Sequence, residues 1–263
     1  MTQDERRIFL IKELLREQPQ YHDLAIPAGA AEQRRLLRSL LNIRMPAAAS
    51  AEFLQVQDAY LQAEIARKGI TGLEELRPEA GKLYLWQGDI TTLRCDAIVN
   101  AANGQLLGCF CPNHGCIDNA VHTFAGVQLR YACAEIMRRQ VGEEPPGRAK
   151  ITPAYNLPSR YVLHTVGPIV QGALTGRDEA LLAGCYRSCL ELAAAWNIGS
   201  VAFCCISTGE FHFPNERAAV IAIQTVQDYI KENNSGIKVI FNVFKDADYA
   251  IYQRLLRADR PSA

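Results

Sequence analysis

Neither sign of charge prevails in this sequence of 263 residues, in which 28 Lys and Arg stand against 28 Asp and Glu. It therefore lacks the one-sided field that draws a protein to nucleic acid or to an anionic membrane, and no nucleic-acid motif offsets that lack. Long apolar runs are missing too: none approaches a membrane span, and the stretch 9–15 is broken by Lys12 and Glu13. The polar opening, Met1-Thr-Gln-Asp-Glu-Arg-Arg, has no export signal, so neither leader nor anchor is expected. Cysteine is plentiful, but the count of nine is odd and the spacing uneven, which argues against a disulfide framework and for a reducing cytoplasm. Cys95, Cys185, Cys189, Cys204 and Cys205 sit in apolar contexts and read as small buried hydrophobes.

The first eighty residues show apolar positions at three- and four-residue spacing over 6–16, 31–42 and 51–68, rich in Leu, Ala, Glu, Gln and Arg. Pro19, Pro27, Pro46, Gly69 and Gly72 punctuate them, so this region is expected to be a small helical extension without strands. Beyond it the pattern alternates. Strands are expected at 83–86, 95–99, 149–152, 161–166, 200–205 and 238–243, and helices at 128–139, 178–196, 215–232 and 247–257. Such alternation predicts a three-layer α/β/α sandwich with a parallel or mixed sheet, whose ligands bind beyond the carboxyl ends of the strands. The expected division is 1–80 for the extension and 81–263 for the α/β unit.

Several loops that follow expected strands carry chemistry. In 207–214, Gly209 permits a tight turn and Pro214 marks a helix start, so backbone N–H groups there can bind phosphate without Lys or Arg; a plain strand-to-helix turn accounts for the loop equally well. Asp89 in Gly88-Asp89-Ile90 can accept from an exocyclic amine or simply cap a turn. Phe244, at the end of a strand, can stack on an aromatic base or sit at the rim of the core. Asn100 and Asn103 flank a strand exit, where their amides can grip a ribose or make turns. His122, four residues after Asp118, either helps orient that carboxylate or faces the core, and His164 and His212 have no sharper assignment.

The most specific feature is Cys109-x4-His114-x-Cys116, three soft or borderline ligands in a short loop containing Gly and Pro. Three protein ligands leave a fourth position open on a tetrahedral ion, and zinc is the natural occupant. Cys111 as a fourth ligand would close the site and make it structural, although its place two residues from Cys109 and before Pro112 demands an unusually tight turn.

Together, Val99-Asn-Ala-Ala-Asn103, Leu106-Leu-Gly, Ile117-Asp-Asn-Ala-Val-His122, Ala125-Gly126 and Ile206-Ser-Thr-Gly209 through Phe213-Pro214 closely resemble the macrodomain signature, in its order, over about 83–257. Hydrolytic macrodomains usually carry a run of glycines before Val-Asp. Here Cys-Phe-Cys-Pro-Asn-His-Gly-Cys takes its place, which resembles the zinc-dependent microbial class that has a helical N-terminal extension and is often associated with a sirtuin-type ADP-ribosyltransferase. The resemblance implies zinc on Cys109, His114 and Cys116, with Cys111 at a variable position outside the ligand set. It implies adenine contacts at Asp89 and Ile90, a distal-ribose contact at Asn103, a diphosphate loop over Ser207, Thr208, Gly209, Glu210 and Phe211, and a hydrolytic role for Asp118, beside which Asn119 replaces the usual Gly.

The implied activity is zinc-dependent removal of mono-ADP-ribose from modified protein side chains, by way of an Asp or Glu ester at the distal ribose, with Asp118 and Asn103 at the reaction centre and one Zn2+ per chain. The implied partners are ADP-ribose and a mono-ADP-ribosylated protein, by analogy a lipoylated carrier like glycine-cleavage H. A non-catalytic ADP-ribose reader with a structural zinc, and a hydrolase of O-acetyl-ADP-ribose, are the alternatives.

Overall fold

The Thr2 hydroxyl accepts from the Glu5 backbone N–H while the Glu5 carboxylate accepts from that of Thr2, a capping box that starts the first helix. The computed structural model describes residues 1–21 and 23–258, so the last five positions of the expected 81–263 unit lie outside the described residues. Helices α1 (Gln3–Glu17), α2 (Ala30–Ile43) and α3 (Ala51–Lys68) bury Leu10, Leu14, Leu37, Leu40, Phe53 and Tyr60 against one another. Val127, from the α/β part, completes that cluster, and Ile65 of α3 belongs to the main core. The extension therefore shares apolar surface with the sheet-bearing part and does not hang free of it.

After α3 come the strands β1 (Thr71–Gly72), β2 (Pro78–Ala80), β3 (Leu83–Gln87), β4 (Leu93–Arg94) and β5 (Ala97–Ala102), then helices α4 (Ile117–Ala125) and α5 (Val127–Arg138). The remainder runs β6 (Ala149–Pro153), β7 (Tyr161–Val166), α6 (Gly176–Ala195), β8 (Ser200–Phe203), α7 (Asn215–Glu232), β9 (Lys238–Val243) and α8 (Asp246–Ala258). Seven strands form one sheet in the order β2-β3-β9-β8-β5-β7-β6; the inner pairings are parallel, and β2 and β6 lie antiparallel at the two edges. Consecutive residues of β5, β7, β8 and β9 are almost all buried, so both faces of the sheet are covered by helices. This is the expected three-layer α/β architecture with a mixed sheet.

Two strands were not expected before residue 81. Among the described residues β1 pairs only with β4, and β2 forms the edge of the main sheet from a Pro-Glu-Ala segment without apolar alternation. The strand expected at 200–205 stops at Phe203, and backbone from Cys204 onward turns into the loop before α7.

The arrangement that matters for function is the run β3-β9-β8-β5. These neighbours are mutually parallel, so their carboxyl ends lie along one edge of the sheet and bring Asp89, Phe244, the 204–214 loop and the 103–116 loop to the same end of it, where ligands of such sheets bind.

Candidate functional site

At the first of these ends, Asp89 caps a short 3-10 turn: its Oδ1 accepts from the Thr91 backbone N–H at 3.0 Å and from the Thr91 hydroxyl at 2.6 Å. Its Oδ2 accepts from Lys68 Nζ of α3 at 2.8 Å. Burial raises the proton affinity of this carboxyl, but Lys68 and Thr91 outweigh it and hold Asp89 below the ordinary aspartate value. Ile90 is buried. The neighbouring Phe244 is 75% exposed, so its ring belongs to the open rim and not to the core.

The loop after β8 is shaped by left-handed backbone at Ser207 and His212 and closed by the Phe213 N–H, which donates to the Ser207 carbonyl at 3.0 Å. Among the described residues, no acceptor takes the backbone N–H groups of Thr208, Gly209, Glu210 or Phe211. The Ser207 hydroxyl is buried and likewise has no partner. Unspent donors converging before the N-terminus of α7 suit an anion.

The stretch after β5 makes the third wall. Asn103 is tied into its own loop, its Nδ2 donating to the Gly108 carbonyl at 3.1 Å and its Oδ1 accepting from the Gln105 N–H at 3.1 Å. Asn100, expected beside a ribose, is fully buried: its Nδ2 donates to Asp118 Oδ1 at 2.8 Å and lies 3.3 Å from His164 Nδ1. Its place is beneath Asp118 and not in the crevice, because β5 is buried on both faces. Asp118 stands in the first turn of α4, where burial pushes its carboxyl up to about 6 against the opposing pull of the Asn100 bond and of Arg130.

Two residues before Asp118, Cys116 is the N-cap of α4, its sulfur accepting from the Asn119 N–H at 3.4 Å. The ligand atoms of Cys109, His114 and Cys116 lie within 4.8 Å of one another. Cys109 Sγ is 3.6 Å from His114 Nδ1, while Nε2 of the same ring faces the Glu210 carboxylate at 3.6 Å. Cys111 is exposed and outside this group. Two half-buried sulfurs and an imidazole nitrogen at this separation are a donor set that fits zinc with one position left over. Burial and the neighbouring Cys109 and Asp118 charges push the Cys116 thiol up to about 12, a shift that a bound cation would reverse.

A second cluster, His122, Cys133 and His164, is also close-set but fully buried. His164 has Asn100 on one ring nitrogen and Thr152 Oγ1, at 2.9 Å, on the other. One of those contacts accepts the ring N–H and the other uses the lone pair, so His164 has none free for a metal. His122 Nε2 lies 3.5 Å from Asp118 Oδ1, too long for a good hydrogen bond, and burial drives its pKa well below the ordinary histidine value. His212 is exposed.

Sequence reasoning missed the contributions of α2 and α3. Arg38, Ser39 and Asn42 reach the 109–116 loop, and Lys68 reaches Asp89. Nothing local in the sequence marks them, since the partners are remote in the chain.

The Macro domain family model matches residues 99–222. The chain is 59% identical over 260 residues to a protein-ADP-ribose hydrolase from Treponema medium, covering 97% of this chain and all of that one. It is 48% identical over 253 residues to a protein-ADP-ribose hydrolase from a Staphylococcus aureus strain, covering 95% of each. Among solved structures, a mutant macrodomain from Oceanobacillus iheyensis with ADPR superposes with a TM-score of 0.62 at 41% identity, over 67% of this chain and 92% of that one.

Proposed function

The chain belongs to the Macro domain family, and from that premise we propose that it is a protein-ADP-ribose hydrolase that uses zinc to release mono-ADP-ribose from a modified Asp or Glu side chain. The observation that carries this reading is the placing of three convergent ligand atoms, from Cys109, His114 and Cys116, at the start of the helix that bears Asp118. The relatives' names support the hydrolase activity, and the structure with ADPR supports the ligand.

In this reading the adenine lies between Asp89, Ile90 and the exposed Phe244 ring. The diphosphate takes the unspent N–H groups of 208–211 and the Ser207 hydroxyl, which brings the distal ribose to Asn103 and the metal loop. Cys109, His114 and Cys116 would hold the zinc ion, which would supply Lewis acidity beside the distal ribose. Asp118, oriented at Oδ1 by Asn100, takes a proton from water at its other oxygen. Water is consumed, and ADP-ribose and the free carboxyl group leave. The exposure of Cys111 supports an open site in preference to a closed structural one.

We take residues 1–80 as the extension, helical up to Lys68 and ending in the strands β1 and β2 that join it to the sheet-bearing part, and 81–263 as the macrodomain unit. A cytoplasmic setting suits the unpaired cysteines, and no helix among the described residues is long and apolar enough to cross a membrane. On the family resemblance, the modified partner is a lipoylated carrier like glycine-cleavage H, with a sirtuin-type ADP-ribosyltransferase as the source of the modification.

The deciding experiment incubates zinc-loaded and chelator-treated protein with Asp/Glu-linked and Arg-linked ADP-ribosyl substrates. Release from the Asp/Glu-linked substrate by the loaded protein alone is expected. Equal release after chelation refutes the zinc role, and binding of ADP-ribose without any release makes the protein a reader.

A further inference from the structure

We propose that Arg38 of α2, acting through Asn119, is a positioning residue that holds the metal loop in its ligating shape, so that the helical extension is a working part of the metal site. The inference rests on the zinc reading above and adds to it the element that fixes the ligands.

Arg38 Nη2 donates to the carbonyl of His114 at 2.9 Å and to Asn119 Oδ1 at 2.8 Å, and Nε donates to the same Oδ1 at 3.2 Å. Asn119 is fully buried, and its Nδ2 passes the connection on, donating to the carbonyls of Cys111 at 3.0 Å and Cys109 at 3.5 Å. The Asn119 backbone N–H meanwhile donates to Cys116 Sγ. The guanidinium and the Asn119 side-chain amide thus touch the backbone of two candidate ligands, while the Asn119 backbone N–H touches the sulfur of the third.

A second set of contacts from the same helix fixes the middle of the loop. Asn42 Oδ1 accepts from the Asn113 N–H at 2.9 Å, and Ser39 Oγ accepts from Asn113 Nδ2. Asn113 has a φ of 55°, a left-handed conformation that Asn tolerates better than most residues, and these two bonds hold it there next to His114. Asn42 Nδ2 also donates to Thr123 Oγ1 at 2.9 Å, locking α2 onto α4. Arg130 closes the arrangement: it donates to the carbonyls of Leu41 and Asn42 at 3.2 and 2.8 Å, and its guanidinium lies 4.4 Å from the centre of the Phe110 ring in the loop.

A loop of this length with Gly and Pro has many conformations open to it, and each bond from α2 removes some of them before metal arrives. The contact also accounts for Asn119 where a small Gly is usual: a glycine there has no amide to link Arg38 to the Cys109 and Cys111 carbonyls. Lysine cannot replace Arg38, because a single ammonium on a flexible stem lacks the planar fork that serves His114 and Asn119 together.

The test is zinc affinity of the full-length protein, measured by competition with a chromophoric chelator, for wild type, Arg38→Ala, Arg38→Lys and Asn119→Gly, with Arg34→Ala on the same helix as control. Outer contacts to metal ligands are commonly worth about 10- to 100-fold in affinity, and a loss of that size is expected for all three variants but not for the control. ADP-ribose titration should change little, because the 207–211 loop is untouched. Folded Arg38→Ala with wild-type zinc affinity overturns the proposal while leaving the zinc reading intact. A wild-type protein that takes up no zinc overturns both. Should Arg38→Ala not fold, Arg38→Lys and Asn119→Gly carry the same decision.

Discussion

His114 and Glu210 join two loops of the crevice: Nε2 of the imidazole faces the carboxylate at 3.6 Å, while Nδ1 of the same ring faces Cys109. At 3.6 Å, and with the Glu210 side chain 72% exposed, the carboxylate is beyond hydrogen-bond reach and acts on the imidazole only through its charge. Glu210→Ala is therefore expected to weaken zinc retention by less than about 5-fold in chelator competition, the range of an exposed charge contact. Its backbone N–H remains, so ADP-ribose affinity should hold. Loss of nucleotide binding with unchanged zinc affinity would mean that the side chain belongs to the phosphate site instead.

Asp118→Ala is expected to lower kcat by about 10²- to 10⁴-fold, the usual worth of a positioned proton acceptor, with ADP-ribose affinity nearly unchanged. Asn100→Leu should reproduce part of that fall, because it leaves the buried Asp118 carboxylate without its 2.8 Å donor. It should also cost about 1–3 kcal/mol of stability for the unsatisfied group. Single-turnover release of ADP-ribose and chemical unfolding measure the two effects. Full activity in Asp118→Ala removes the residue from the mechanism.

Much of this was legible in the sequence, and the parts that were not share a cause. Apolar runs such as Tyr161–Val166 declare buried strands, and the spacing of Cys109, His114 and Cys116 declares a possible ligand set because all three lie within one loop. Asn100 misled because β5 is buried on both faces, so alternation along the strand does not tell crevice from core. The edge strand Pro78–Ala80 has no apolar pattern and exists only because β3 lies beside it. Arg38 and Lys68 lie on well-predicted helices, yet their partners are fixed by how those helices dock, which helical periodicity does not encode.

Gly167 follows β7, and a Cβ added there would lie 2.0 Å from the Ser207 hydroxyl and 2.9 Å from an Ile206 methyl. Ser207 has a φ of 63°, and its position depends on that vacancy. Gly167→Ala should displace it, costing about 1–3 kcal/mol by overpacking and weakening ADP-ribose binding by about 10-fold or more. Adding Ser207→Gly removes the clashing hydroxyl and relieves the left-handed backbone but leaves the Ile206 methyl, so the double variant should recover part of the stability. Isothermal titration and thermal unfolding decide it; wild-type ADP-ribose affinity in Gly167→Ala would show that the loop does not depend on the glycine.

His164 makes the acid limb of stability a readout of the buried network beneath Asp118. Fully buried between Asn100 and Thr152, it has a pKa lowered by burial from 6.5 to about 4. The unfolded chain takes up a proton near 6.5 while the folded protein refuses it until about 4. The contribution is therefore complete above 6.5 and is lost as the pH falls toward 4, at most about 3 kcal/mol. His122, 6.1 Å away between ring centres, acts in the same direction, its pKa lowered chiefly by burial. Asp118 acts oppositely: its raised pKa favours the folded state at low pH, an advantage lost as the pH rises through about 6. Cys133 stays a neutral thiol throughout this range, and Arg130 stays charged. His164→Gln keeps an amide for hydrogen bonding but removes the titration. Its melting temperature, measured on metal-free protein between pH 7 and 4, should start lower and fall less steeply than that of wild type. Parallel curves would mean that His164 does not govern the acid limb.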